Sequence, residues 1–181
     1  YAVGYEGPPL APHAVIWIAP PTSAPIALDG EGATALGVDD SGTAVGCLGM
    51  QCAAVGGIPA MWSPNGNNGY ARTDIALLPN HQGAVATDID NDGIVVGSGF
   101  EVTTSRSRAF LRLLNGSVLE LAPAQGDIES KAEAVSDVFT DSGNGFVYVA
   151  GSTSSADGVT RGVRWAVNGD TGAGVDRAVL G

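Results

Sequence analysis

One unit of about fifty residues is repeated along this chain, and the repetition constrains the fold more than any single residue does. Three Asn-Gly pairs, each three residues after a tryptophan or the residue that replaces it, begin at Asn65, Asn115 and Asn168. Glycines that end short apolar runs recur at nearly the same spacing, at Gly46, Gly97 and Gly151. A period of this size predicts a supersecondary unit copied in tandem.

The composition indicates that the repeated unit is built from strands. The 181 residues include 27 glycines and 10 prolines, and only 15% are charged. No long stretch is rich in the residues that favour helices, and polar turn residues separate short apolar runs. These features are typical of an all-β chain with many turns.

Each unit can be divided into four short strands. The first strand with its turn is predicted at 35–42, 86–93 and, in a looser copy, 134–143. The second strand is predicted at 2–4, 43–46, 94–97 and 146–151. The third is predicted at 13–17, 58–62, 108–112 and 161–165, and the fourth at 25–28, 70–78, 117–121 and 176–180. A single repeat domain results, with units of approximately 1–32, 33–80, 81–127 and 128–181, of which the first lacks its first strand.

The second strands are apolar on both faces, so each must be covered on both sides. Tandem four-stranded antiparallel sheets with this property pack most naturally as the radial blades of a β-propeller. A β-sandwich and a β-solenoid are the alternatives, although the period suits a blade better than the shorter coil of a solenoid. Because a closed ring leaves no exposed edge, the missing strand predicts a piece of a longer propeller or a ring completed by another copy of the chain.

Two stretches carry a specific motif. Residues 86–97 read Ala-x-x-Ile-Asp-x-x-Gly-x-Val-Val-Gly, residues 13–17 read His-Ala-Val-Ile-Trp, and Trp-x-x-Asn-Gly follows in the repeat. This pattern resembles the HAF repeat, a bacterial extracellular repeat family, over nearly the whole chain. The other third strands begin with Ile58, Arg108 or Arg161 in place of His, and Arg112 replaces the tryptophan. The resemblance implies secretion and a propeller-like fold, and it supplies no catalytic residues.

The charge of the chain limits its partners. Eight basic residues stand against 19 acidic ones, for a formal charge of −11. Nucleic acid is a poor partner for such a surface, since phosphate binding depends on clustered Lys and Arg. No run of about 18 apolar residues occurs, so we expect no membrane-spanning helix.

Cys47 and Cys52 are the only cysteines. Two thiols cannot complete a tetrahedral zinc site unaided, and the two histidines, His13 and His81, belong to different repeats. We therefore expect a local disulfide, whose small ring stabilises the fold by about 2 kcal/mol in the chain-entropy model. A disulfide favours an oxidising compartment, so we expect an extracellular or cell-surface protein.

The sharpest chemical motif is a run of alternating carboxylates, Asp88, Asp90 and Asp92, before Gly93. It resembles the start of a calcium loop, in which Ca²⁺ is bound by several hard oxygens and the glycine permits the bend. The later acidic ligand is missing, because Val96 and Gly99 stand where it is expected. We therefore interpret the motif as a hairpin turn and expect no cofactor, with Ca²⁺ as the alternative.

The connections that vary in length between repeats fall largely on one face of an antiparallel blade, and such loops on a rigid scaffold usually carry binding. They are residues 5–12, 48–57, 98–107 and 152–160. We therefore expect a non-catalytic module that binds an extracellular protein or polysaccharide through these loops.

Two other functions stay open. The first is a carbohydrate-active hydrolase with carboxylates at the central channel, although the first strands offer mainly Leu36, Val38, Thr87, Ile89, Val135 and Val138 there, with Asp88 and Asp137 as the acidic members. The second is a structural subunit that self-assembles by completing its edge unit with a neighbour. We expect the basic clusters, Arg106 with Arg108 and Arg161 with Arg164, to form salt bridges at blade edges. We expect Trp17, Trp62 and Trp165 to pack in the core.

Overall fold

The computed structural model describes residues 1–7, 12–18, 24–49, 52, 56–66, 69–141 and 144–180, and these form sixteen β-strands in four antiparallel sheets. Sheet A contains β1 (Ala2–Glu6), β2 (His13–Trp17) and β3 (Ile26–Glu31). Sheet B contains β4 (Thr34–Val38), β5 (Ala44–Leu48), β6 (Ile58–Pro64) and β7 (Tyr70–Asp74). Sheet C contains β8 (His81–Ile89), β9 (Val95–Glu101), β10 (Ser107–Arg112) and β11 (Val118–Leu121). Sheet D contains β12 (Asp127–Val135), β13 (Phe139–Asp141), β14 (Asn144–Ser155), β15 (Thr160–Asn168) and β16 (Asp176–Leu180).

The strands of sheets B and C are hydrogen-bonded in chain order, and sheet D has the order β12-β14-β15-β16 with β13 paired to β14. The prediction of an all-β chain built from four-stranded antiparallel sheets is confirmed. Sheet A has three described strands, in the order β1-β2-β3. We call β4, β8 and β12, the first strands of sheets B, C and D, the inner strands.

Strand register shows that the four sheets repeat one arrangement. Gly4, Gly46, Gly97 and Gly151 lie opposite Val15, Ala60, Phe110 and Val163, respectively. Two residues further along the third strand of sheets A, B and D come Trp17, Trp62 and Trp165. The tryptophans therefore share one ladder position, as the repeat predicts, and sheet C places Arg112 there.

The recurrent glycines are required by a close backbone approach. A Cβ atom on Gly46 would lie 1.9 Å from the carbonyl oxygen of Thr34 on the neighbouring inner strand. The same distance would be 2.0 Å both for Gly97, from the carbonyl of Val85, and for Gly151, from that of Lys131. No side chain fits in that space, so the period of the sequence reflects one repeated contact between first and second strands.

Each inner strand carries a bulge just after this contact. The register shifts between Ala35 and Gly37, between Ala86 and Asp88, and between Ala132 and Ala134. The structural equivalent of Ala35 and Ala86 is therefore Ala132, so the predicted start of the fourth unit's first strand at residue 134 is wrong. The cause is the insertion that forms β13, which lengthens the spacing between Ala132 and Gly151 and hides the match.

The sheets stack in chain order, A on B, B on C and C on D, and the described strands do not form a closed sheet. A buried apolar cluster fills each junction. Ile16 packs with Trp62 between A and B, and Val45 packs with Phe110 between B and C. Leu111 packs with Trp165 between C and D. Apolar second strands are thus covered on both sides in sheets B and C, which buries enough surface to hold small sheets together.

Two predicted loops are about half strand. Residues 98–101 continue β9 and residues 152–155 continue β14. Residues 98–100 pair with β10, and residues 152–154 pair with β15. Their Ser, Thr and Gly side chains are small enough to extend the ladder, so the connections shrink to residues 102–106 and 156–159. Among the described residues, no helix reaches the length and apolar character that a bilayer-spanning segment requires.

Candidate functional site

A cavity of about 360 Å³ lies along the inner strands of sheets B, C and D. Leu36 of β4 and Thr87 of β8 contribute to its lining, together with Phe100 of β9. Lys131 and Glu133 of β12 lie on the same lining. Apolar side chains combined with hydroxyl and charged groups are a common composition of ligand-binding cavities.

The bulges place side chains in this cavity. Leu36, Thr87 and Glu133 are the residues that each bulge leaves unpaired on its inner strand, and all three line the cavity. Bulges commonly redirect a side chain next to a functional site. Each of the three sheets therefore contributes its bulge residue to the same cavity. The three side chains differ in character: one is apolar, one is a hydroxyl and one is acidic.

Hydroxyl groups join sheets C and D at the cavity wall. The Thr87 hydroxyl donates to the carbonyl of Ala132 at 2.9 Å, and the Ala132 N–H donates to the Ser98 hydroxyl at 3.2 Å. Thr87 and Ser98 both line the cavity. These bonds satisfy the backbone of Ala132 and hold the wall in one arrangement.

The cavity lies near one end of the sheets, the end where the second strand connects to the third. Cys52, Ser98 and Ser107 are lining residues, and they come from the predicted variable segments 48–57 and 98–107. The segments 5–12 and 152–160 contribute no described residue to the lining; positions 8–11 lie outside the described residues. Two of the four predicted binding segments are therefore brought to the cavity.

Lys131 and Glu133 are the charged members of the lining, and both are exposed. Lys131 is the only lysine of the chain. Within the part of the chain that the structure describes, neither side chain forms an ion pair. A cation and an anion two positions apart can thus bind polar groups of a ligand, next to apolar lining residues such as Leu36 and Phe100.

The sequence predicts neither charge in the cavity. Glu133 precedes residue 134, where the first strand of the fourth unit is predicted to start. Lys131 is equivalent to Thr34 and Val85, which also precede the predicted first strands and line the cavity. Val38, Ile89, Val135 and Val138 were expected in the channel, but they pack against the apolar clusters between sheets. Each bulge resets the alternation of the strand, which explains why Leu36 and Thr87 line the cavity whereas Val38 and Ile89, two positions later, do not.

Two carboxylates of the calcium-like motif, those of Asp88 and Asp90, accept hydrogen bonds from different backbone groups. Asp88 Oδ2 accepts the N–H of Val135 at 2.9 Å, across the junction between sheets C and D. Asp90 Oδ1 accepts the N–H of Asp92 at 3.0 Å and that of Ile94 at 2.7 Å, which closes the hairpin turn. In the described ranges, no three His, Cys, Asp or Glu side chains are grouped to hold a metal ion. These contacts fit the hairpin interpretation.

Asp90 is buried, and one of its oxygens, Oδ2, has no partner among the described residues. Burial raises the pKa of this carboxyl above its ordinary value, although the backbone N–H donors of Ile94 and Asp92 act in the opposite direction. Asp39 forms the same turn in sheet B, where its Oδ1 accepts the N–H groups of Ser41 and Thr43.

Neighbouring hairpin turns are joined by a ladder of equivalent residues. The N–H of Asp40 donates to Asn91 Oδ1 at 2.8 Å, and the N–H of Asn91 donates to Asp137 Oδ1 at 3.1 Å. The carboxylates of Asp88 and Asp137, which the hydrolase alternative places in a catalytic channel, are therefore used to hold one sheet to the next.

The arginines behave mostly as structural cations. Arg108 pairs with Glu101 at 3.5 Å and with Glu120 at 3.3 Å. Arg161 pairs with Asp127 at 2.5 Å. These ion pairs agree with the expected salt bridges, whereas the guanidinium of Arg164 lies 4.5 Å from the centre of the Tyr148 ring. Arg106 has no side-chain hydrogen bond or ion pair with the described residues.

Asp127 occupies a polar pocket at the start of β12. The Thr153 hydroxyl donates to its Oδ2 at 2.5 Å, and this bond together with the Arg161 guanidinium lowers the pKa of the carboxyl.

The residue of sheet C equivalent to Asp127 is His81, whose Nδ1 is 2.8 Å from the carbonyl oxygen of Pro79. His13 begins β2 and is exposed. The histidines are in different sheets, as expected from the sequence.

The sulfur atoms of Cys47 and Cys52 lie 1.96 Å apart, which is a disulfide distance. Cys47 is buried in β5, while Cys52 lines the cavity. The predicted local disulfide fits this arrangement, and it ties one wall of the cavity to the core of sheet B.

No protein-family model matches this sequence, and comparisons with curated proteins and with solved structures find no significant match.

Proposed function

We propose that this protein is a non-catalytic, secreted or cell-surface binding module of propeller-like architecture, related to the HAF repeat family. It binds an extracellular protein or polysaccharide at the cavity along its inner strands and at the adjoining connections. The supporting observation is that the bulge residues of three sheets, Leu36, Thr87 and Glu133, converge on one cavity next to the segments that vary most between repeats. A rigid repeated frame with variable side chains at one location is typical of binding scaffolds.

The propeller-like arrangement is supported by sheets that stack in chain order with equivalent strands facing the cavity. Secretion is supported by the cysteine pair at disulfide distance, since such bonds persist in oxidising compartments. Binding is favoured over hydrolysis because Glu133 is the one carboxylate among the described lining residues, whereas glycoside hydrolysis usually needs two.

The test uses the purified chain on a glycan array and against a displayed peptide library. The probe variant is Leu36→Arg, because Leu36 is 47% exposed and its replacement changes the cavity floor without opening the core. The matched control is Leu114→Arg, since Leu114 is 52% exposed in the turn between β10 and β11, at the opposite end of sheet C.

We expect a glycan or peptide that binds the wild type and the Leu114→Arg variant but not the Leu36→Arg variant. Binding that survives Leu36→Arg would place the ligand elsewhere and contradict the proposal. Cleavage of an arrayed glycan would support the hydrolase alternative instead.

A further inference from the structure

We propose that the cavity binds an extended segment of another protein, which carries an acidic and a basic side chain two positions apart next to an apolar residue. The acidic side chain pairs with Lys131, and the basic side chain pairs with Glu133. Both residues lie on β12 and line the cavity. This inference rests on the proposed function, because it assigns the class of ligand that the same cavity takes.

A second pair of unlike charges in the chain has the same spacing and shows what is unusual about this one. Arg72 and Asp74 also lie two positions apart on one strand, β7, and their side chains form an ion pair at 3.0 Å. In the described part of the chain, Lys131 and Glu133 form no ion pair with each other or with another residue. The ladder of β7 is regular over its two charges, whereas the bulge of β12 falls at Glu133 and bulges redirect side chains. The cavity therefore contains two separate charges that a ligand can pair.

The backbone between these two charges is already bonded. The Thr87 hydroxyl donates to the carbonyl of Ala132, and the N–H of Ala132 donates to the Ser98 hydroxyl. An occupant is therefore recognised through the side chains of Lys131 and Glu133 rather than by pairing with the edge of β12.

The repeated fold does not require charges at these positions. Lys131 and Glu133 have equivalents in β4 and β8 that line the same cavity and are uncharged, namely Thr34, Leu36, Val85 and Thr87. The inner strands thus form with neutral residues there, and the two charges distinguish sheet D within the cavity.

Charge complementarity favours a peptide as the occupant. Lys131 and Glu133 are neutral as a pair, so they favour a ligand with one charge of each sign in the complementary arrangement. A neutral glycan has no charge to complement them, and an acidic glycan would meet Glu133 and a chain with a formal charge of −11. Side chains two positions apart on an extended peptide point the same way and are separated by roughly 6–7 Å, which matches the spacing of two residues on a strand.

The apolar lining adds a further requirement. Leu36 is 47% exposed and Phe100 is half-buried, and both line the cavity. Contact with an apolar side chain of the peptide would remove their surface from water and so favour binding. The two charges then determine which peptide binds, because like charges brought together weaken a complex.

The experiment selects ligands from two displayed peptide libraries. In the first, an acidic and a basic residue are fixed two positions apart, in both orders, and the other positions are random. In the second, serine replaces both fixed residues. Each selected peptide is then synthesised in its original form and with its acid and base exchanged, and binding is measured by fluorescence anisotropy in about 0.15 M salt, at which distant charges are largely screened.

The decisive variant exchanges the two charges, Lys131→Glu with Glu133→Lys, and keeps the net charge of the chain. The matched control, Arg72→Asp with Asp74→Arg, exchanges the ion pair of β7, which is outside the described cavity lining. We expect the first library to be enriched over the second. Wild type and the control should bind the original peptide at least about tenfold more tightly than the exchanged one, and the decisive variant should show the reverse preference. Lys131→Gln and Glu133→Gln, tested singly, should each reduce the preference of the wild type.

The inference is overturned if the first library is not enriched over the second, if the decisive variant keeps the preference of the wild type, or if glycans bind and peptides do not. In each case the proposed function is judged separately by Leu36→Arg. A ligand whose binding is lost in that variant still occupies the cavity, so only the inference about its class fails. Peptide binding that survives Leu36→Arg would contradict the proposed function and this inference together.

Discussion

The carbonyl oxygen of Val85 occupies the space that a side chain on Gly97 would need, since a Cβ on Gly97 would lie only 2.0 Å from it. The Phe110 ring closes the same space from another direction, at 2.7 Å. The pairing of β8 with β9 therefore depends on the absence of a side chain at one position. Sheets B and D repeat this relationship at Gly46 and Gly151.

Gly97→Ala should destabilise the protein by more than about 2 kcal/mol, because overpacking a closed site costs about 1–3 kcal/mol and backbone is less able to move than a side chain. Urea unfolding provides the measurement. Gly162→Ala is the control, since a Cβ there meets only ordinary contacts. Equal stability of the two variants would show that the close approach is not needed.

Trp165→Ala should cost about 3–5 kcal/mol, because Trp165 is fully buried and its indole N–H donates to the Ala122 carbonyl at 3.0 Å. Trp17→Ala should cost less, since Trp17 occupies the same ladder position but is half-buried. Both values can be measured by denaturant unfolding with circular dichroism as the signal. A larger loss at Trp17 than at Trp165 would contradict the burial difference.

Asp90→Asn should increase stability relative to wild type as the pH rises. Burial raises the pKa of Asp90, so its neutral form stabilises the folded state below about pH 4, the ordinary aspartate range, and this contribution is lost as the pH rises through the folded-state pKa. Asparagine keeps the acceptor for Ile94 and carries no charge.

The melting temperatures of wild type and Asp90→Asn should therefore diverge between pH 3 and pH 7, in favour of the variant. Asp176→Asn, at an exposed position of β16, serves as the control. A pH profile of Asp90→Asn that runs parallel to wild type would refute the assigned effect of burial.

Cys52→Ser should lower the free energy of unfolding by about 2 kcal/mol, the value that the chain-entropy model gives for so small a ring. Cys47 is left in place because it is buried in β5 and can remain there as a thiol. Melting of the wild type with and without a reductant measures the same quantity. If the reductant lowers the melting temperature of Cys52→Ser as much as that of wild type, the change does not come from this disulfide.

The strands could be predicted from the sequence where the types of neighbouring residues determine the local structure. Residues 13–17 and 176–180 are strands with the predicted bounds, and each lies between short segments that contain Pro or Gly. The turn at Asp90 could likewise be predicted, since its side chain bonds backbone groups two and four residues away.

The first strand of the fourth unit could not be predicted correctly from local residue patterns. β13 is an insertion that pairs only within sheet D, and it hides the equivalence of Ala132 with Ala35 and Ala86, so the first strand is predicted to start at residue 134. Glu133 is therefore not predicted in the cavity. Small polar residues in the segments 98–107 and 152–160 predict loops, although such residues also extend a ladder when a partner strand is present.

The period and the alternation of apolar residues are properties of neighbours along the chain, so they were sufficient to predict a series of small antiparallel sheets. The role of the repeated glycines and the set of side chains at the cavity depend instead on contacts between strands. A carbonyl 2.0 Å from a missing Cβ and a bulge that redirects Leu36 are relations between strands, and they depend on register. Register arises from pairing in three dimensions, so a linear pattern does not contain it.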